Sequence, residues 1–211
     1  MTNRRTSLTA LGCILASGLY AVGPTAATSQ EASPSPLKLV SSRVSLSGTS
    51  NIHPYTASST AARLVRLQLA NGVLGPNVWE QIVKPGALEA FEISIPAATL
   101  SSPKEGLDRN MHKALKVTEH PDITFRLSRL EPADSSGAIR GVGILKIAGN
   151  EREVTLALKT RRTEAGFTVT GEVQLLMTDF GLTPPKAMLG MLKTDPKVTV
   201  TFETVFGLPL T

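Results

Sequence analysis

Residues 139–177 read IRGVGILKIAGNEREVTLALKTRRTEAGFTVTGEVQLLM. Ile139, Gly141, Gly143, Leu145 and Ile147 share one face at a spacing of two, and Val154, Leu156 and Leu158 answer from the next run. Phe167, Val169, Gly171, Val173, Leu175 and Met177 form a third, longer face. Strict alternation of this kind marks strands with one buried side. Gly149-Asn150 supplies one turn between the runs and Glu164-Ala165-Gly166 the other. Both links are of hairpin length, so three neighbouring antiparallel strands are predicted.

The same alternation recurs on either side of that stretch. Val44 and Leu46 alternate with Arg43, Ser45 and Ser47, and Val65, Leu67 and Leu69 with Arg66 and Gln68. Phe91, Ile93 and Ile95 alternate with Glu92 and Ser94, and Ile123, Phe125 and Leu127 with Thr124 and Arg126. Val198, Val200, Phe202, Thr204 and Phe206 close the series. About eight strands with short links predict an all-β, up-and-down antiparallel architecture, either a sandwich or a barrel. The long Phe167–Met177 face and the glycines within apolar faces favour an eight-stranded barrel, because a missing side chain permits coiling or leaves room inside. A barrel of that size is filled by side chains or holds one small ligand.

Two segments break the strand rhythm and predict one or two short helices. Between Lys104 and Lys116, Leu107, Met111, Ala114 and Leu115 make an amphipathic stripe, and Pro121 ends helical structure soon after. Pro185 to Leu192 carries Met188, Leu189, Met191 and Leu192, an apolar piece long enough for one or two helical turns. Methionine suits a surface that adapts to a flexible apolar partner; the plainer reading makes both segments plugs at the barrel ends.

The chain has 211 residues, of which 41% are hydrophobic, 18% charged and 4% aromatic. That is enough for one large folded domain, and too few aromatic residues for a single-strand nucleic-acid binder. Arg4-Arg5, an uncharged run from Leu8 to Val22, and small residues at Thr25, Ala26 and Ala27 have the layout of a secretory signal peptide. Residues 1–27 are therefore read as a signal, 28–36 as a Ser/Pro-rich spacer, and 37–211 as the domain. The destination is periplasmic or secreted, by general or twin-arginine export, with no transmembrane span in the mature form. Removing the signal lowers the formal charge from +5 to +3, too weak to imply a nucleic-acid partner. It also removes Cys13, the single cysteine, and with it any disulfide or thiolate chemistry.

The residues offer little for catalysis. His53, His112 and His120 have no metal-ligand spacing, so no metal site is expected. No nucleophile elbow, dinucleotide fingerprint or P-loop occurs. Asp179 reads as a turn residue bonding nearby amides, and Glu105, Asp108 and Arg109 as charges at a helix start. A protein without catalytic residues or cofactor is expected.

Four stretches resemble the YceI-like family of lipid- and polyisoprenoid-binding proteins. They are SRVSLSGTSNIHPY from Ser42, KEGLDRNMHKALKVTEHPDITF from Lys104, GVGILKIAGNEREVTL from Gly141, and LLMTDFGLTPPKAMLGMLKTDPKVTVTFE from Leu175. The resemblance spans 37–211 and implies a lipocalin-like barrel holding an isoprenoid or quinone-like lipid. Joined to the strand faces, it makes Phe91, Ile93, Phe125, Leu145, Val173, Leu175 and Phe202 candidate lumen residues. Met111, Leu115, Met177, Phe180, Met188 and Met191 would approach the lipid from the ends. A one-residue slip reverses every face of a strand, so the lumen side of each strand is left open, as is homodimer formation. The alternative is a structural or stress-related envelope protein whose barrel is filled by its own side chains.

Overall fold

A computed structural model of the chain describes residues 37–73, 78–132, 139–163, 166–187 and 191–207. The signal and spacer readings, Cys13, the Glu164-Ala165 turn and Met188 lie outside the described residues. Among those described, the strands are β1 (Lys38–Ser50), β2 (Pro54–Ser59), β3 (Arg63–Leu69), β4 (Leu88–Pro96), β5 (Asp122–Pro132), β6 (Ile139–Ile147), β7 (Asn150–Thr163), β8 (Gly166–Leu176), β9 (Lys186–Ala187) and β10 (Leu192–Gly207). Helix α1 (Val78–Gln81) precedes β4, and α2 (Glu105–Ala114) lies between β4 and β5. Single 3₁₀ turns cover Ala97–Thr99 and Met177–Phe180.

All pairings are antiparallel, and the sheet runs β2-β1-β10-β8-β7-β6-β5-β4-β3. The first and last long strands meet, with Ser42 opposite Thr204 and Leu46 opposite Val200. The all-β, lipocalin-like meander stands, but the expected count of eight is corrected to nine along this path. β2 escapes notice because PYTASS carries no apolar alternation; it is held by its pairing to β1, with Gly48 opposite Tyr55. β2 and β3 are separated only by residues 60–62, yet they sit at opposite ends of the path. The chain itself thus joins the two ends of the curled sheet, with no ladder between β2 and β3 among the described residues. Ser58 adds two backbone hydrogen bonds to Ser101, 2.8 and 3.0 Å, on the same side. At the start of the Pro185–Leu192 segment, where a helical turn was expected, Lys186–Ala187 instead form β9, a two-residue partner of β10, while residues 188–190 lie outside the described residues.

Bulges set which residues face inward. On β3 the register shifts between Leu64 and Arg66, so Leu64 and Leu67 pack in the core while Val65 is 58% exposed. The expected Val65, Leu67, Leu69 face is corrected accordingly, since one extra residue reverses the parity of what precedes it. The shift at Leu127/Arg129 in β5 likewise brings Leu130 inward after Leu127, and one in β1 leaves Val40 exposed. The turn between β6 and β7 is also one residue earlier than Gly149-Asn150 suggests. Ala148 (φ 48°) and Gly149 (φ 82°) form its centre, and Asn150 pairs with Ile147. Two positive φ values are the signature of a type I′ hairpin.

The outer face of β5–β7 carries Arg126–Glu151, Arg129–Glu131, Arg129–Glu153, Arg140–Glu131 and Lys146–Glu151 ion pairs. Such exposed, salt-screened pairs add little to stability. Together they identify the water side, because such charges do not face lipid in a membrane barrel. Among the described residues no helix is long and apolar enough to cross a membrane.

Candidate functional site

The inner faces of the strands line a cavity of about 310 Å³ that is partly open to solvent. It reaches from a cluster of Leu37, Ile82, Phe167 and Phe206 at one end to Leu175, Phe180, Leu182 and Met111 at the other. Its wall on β8 runs from Phe167 to Leu175, eight residue steps of about 3.3 Å, or roughly 26 Å of strand. Among the described lining residues none is charged, and the polar ones are Tyr55, Thr160, Thr194 and Thr204.

Phe91, Ile93, Phe125, Leu145, Val173, Leu175 and Phe202 all line this space. Met111 and Leu115 reach it from α2 and the turn that follows, and Met177 and Phe180 from the 3₁₀ turn. Met191 is corrected: it is 72% exposed and is not in the lining. Several lining positions had no clear mark in the sequence. Leu130 is hidden by the β5 bulge, and Leu182 follows the 3₁₀ turn. Ile82 and Val83 follow α1 directly, and the spacing of Val78 and Ile82 was a usable signal.

Glycines make the interior roomy enough for aromatic rings to lie across strands. A Cβ on Gly171 would overlap the ring of Phe202 opposite, and one on Gly143 would meet Phe125 Cζ at 2.6 Å. The missing side chains that suggested coiling or space are thus filled by neighbouring rings.

α2 closes one end because its stripe turns inward. Met111 is buried against Ala57 and Leu100, and Leu107 and Ala114 line the cavity beside it. Asp108 Oδ1 accepts the Ser102 N–H at 2.8 Å, and His112 Nε2–H donates to the Leu100 carbonyl at 2.8 Å. Glu105 pairs with Arg109 at 3.7 Å on the exposed side. The 3₁₀ turn at the same end is held by Asn150, whose Nδ2 donates to the Phe180 carbonyl at 2.9 Å and to Ala148 at 3.2 Å. Gly181 follows in the left-handed region at φ 65°.

Polar chemistry inside is sparse. Ser42 and Thr204 hydroxyls share a buried hydrogen bond at 3.2 Å. Burial, and secondarily the charge of Asp195, raises the Tyr55 phenol above its usual 10.0, so it is a neutral donor. The histidines are dispersed: His112 bonds Leu100, His53 Nδ1 lies 3.2 Å from the Pro54 carbonyl, and His120 covers Gly149. Among the described residues no group of three or more His, Cys, Asp or Glu is placed to hold a metal. The arrangement suits enclosure of an apolar chain.

The model of the YceI-like domain matches residues 56–206. No curated protein sequence matches the chain. Among solved structures, Burkholderia cenocepacia BcnA is similar at TM-score 0.60 and 15% identity, covering 79% of this chain and 96% of that one. A polyisoprenoid binding domain from Saccharophagus degradans gives 0.60 at 12% identity, covering 82% and 99%. The Campylobacter jejuni YCEI protein gives 0.51 at 14%, covering 71% and 82%. At these identities the likeness is one of fold.

Proposed function

From a chain that belongs to the YceI-like domain family, we propose an exported binding protein that holds a long isoprenoid or other lipid chain in its lumen. The observation that carries this reading is the 310 Å³ cavity whose described lining is uncharged and almost wholly apolar from end to end. Such a space gives every methylene of a chain the same surroundings, so it selects length and apolarity. The polyisoprenoid binding domain from Saccharophagus degradans, with the same fold, supports the ligand class.

Energetics favour a carrier or reservoir. Each methylene moved from water into the lumen contributes about 0.8 kcal/mol. A chain that starts in a bilayer is already desolvated, so exchange between bilayer and lumen is nearly balanced and reversible. The charged outer face keeps the loaded barrel water-compatible. The role is binding rather than catalysis, and the signal-like 1–27 segment supports a periplasmic or secreted location.

Native mass spectrometry of the purified full chain tests this reading. A co-purifying lipid that is lost on solvent extraction and regained on adding isoprenoid is the expected result. A folded barrel that neither carries nor takes up any lipid would establish the side-chain-filled alternative.

A further inference from the structure

We propose that the seam between the first half of β1 and β3 is a lateral portal, through which an apolar chain passes sideways into the lumen. This rests on the lipid-binding reading and adds to it the route of loading. β2 covers β1 only from Val44 to Thr49, so among the described residues Lys38 to Arg43 keep an unpaired edge on that side. β3 pairs with β4 alone, which leaves its other edge unpaired from Arg63 to Leu69. Every other neighbouring pair of strands on the path is joined by a hydrogen-bonded ladder.

The two edges border one apolar core. Leu39 of β1 and Leu64, Leu67 and Leu69 of β3 pack on the cluster that holds Leu37 and Phe206. Behind them Val44 and Leu67 line the cavity. Pairing the edges with each other would close the wall, yet each carries a bulge. Val40 is the extra residue on β1 and Val65 on β3. Bulges are a standard way to stop an edge from pairing. They also turn both valines outward, 56% and 58% exposed, so an apolar residue flanks the seam on each side.

A hydrocarbon chain can cross a wall only where no backbone hydrogen bonds must be broken, because it cannot replace them. At this seam it exchanges side-chain contact for chain contact, and little apolar surface meets water on the way. The α2 end lacks that freedom. Asp108 and His112 fasten the helix to Ser102 and Leu100, and Asn150 fastens the 3₁₀ turn.

The test staples the seam. In the full chain with Cys13→Ala, Val40→Cys and Val65→Cys are joined by a bis-maleimide linker that contains a cleavable disulfide. The probe is a fluorescent polyprenol delivered from phosphatidylcholine vesicles. Stapling should slow uptake and release alike by about tenfold or more. The equilibrium affinity should stay the same, since a gate alters both rates but not the end states. Cleaving the linker should restore the rates. A staple across the β6–β7 ladder, between Lys146→Cys and Glu151→Cys, should leave them unchanged. Unaltered rates in the stapled seam, equal slowing by the ladder staple, or a loss of affinity in place of slowing overturns the portal. If the unstapled protein takes up no probe, the lipid-binding reading itself fails and the portal with it.

Discussion

Gly143 shows how a single residue shapes the interior. It pairs with Leu127 on β5 and Val154 on β7, and a Cβ there would overlap the Arg126 carbonyl oxygen as well as Phe125 Cζ at 2.6 Å. A ring can rotate away, but the carbonyl belongs to the sheet. Gly→Ala ordinarily gains about 0.4–1 kcal/mol by restricting the unfolded chain, whereas overpacking costs about 1–3 kcal/mol. The clash should win. Gly143→Ala is expected to lower stability by about 1–3 kcal/mol in urea unfolding at unchanged slope; a neutral or stabilised variant would show that the sheet yields there. At this scale the sequence marked the glycine as anomalous on an apolar face. It did not say which neighbour occupied the space, since the ring comes from another strand.

The hairpin and the 3₁₀ turn show how elements are locked together. Ala148 and Gly149 turn the chain, and Asn150 then reaches from the start of β7 to the turn after β8, 30 residues away. Removing its amide leaves the Phe180 carbonyl without that donor, in a turn whose Phe180 is 2% exposed. A lost partner for a part-buried group costs about 1–3 kcal/mol. Asn150→Ala should therefore destabilise the protein by about that amount and increase amide exchange in residues 177–182 before the strands. Uniform exchange across β6–β8 would mean that the turn is held by other contacts. The strands were legible because alternation is local, and α2 because its stripe is local. The bulges at Val40, Val65 and Ser128 were not: a bulge is decided by pairing with a partner strand, and its sequence mark is weak. β2 was invisible for the complementary reason, having β1 for a partner but no apolar face of its own.

For the whole molecule, the remaining question is what precedes the barrel. Arg4-Arg5, the run from Leu8 to Val22 and Thr25-Ala26-Ala27 predict that cleavage leaves a chain beginning near Thr28 with no cysteine. N-terminal sequencing of protein recovered from an exporting cell should find that start. A mature chain beginning with a lipidated Cys13 would replace this reading with an anchored one. Closure belongs to the same scale. β1 pairs with β10 from opposite ends of the domain, Ser42 meeting Thr204 across 162 residues, and β2 and β3 carry the chain between the two ends of the sheet. Contacts so distant have no periodic trace.

The sequence by itself determined the all-β class, the order of the main strands, the inward stripe of α2 and an apolar interior, because each follows from spacing within one segment. Tertiary structure alone decided which face of each strand looks inward, that β2 and β3 bridge the sheet ends, and that Met191 lies outside the cavity. It also decided that the Tyr55 hydroxyl is packed against Gly48 of β1 and has no hydrogen-bond partner among the described residues. Those facts depend on strand register, bulges and groups brought together from distant segments, and a side-chain period of two carries no information about which of two apolar faces meets water.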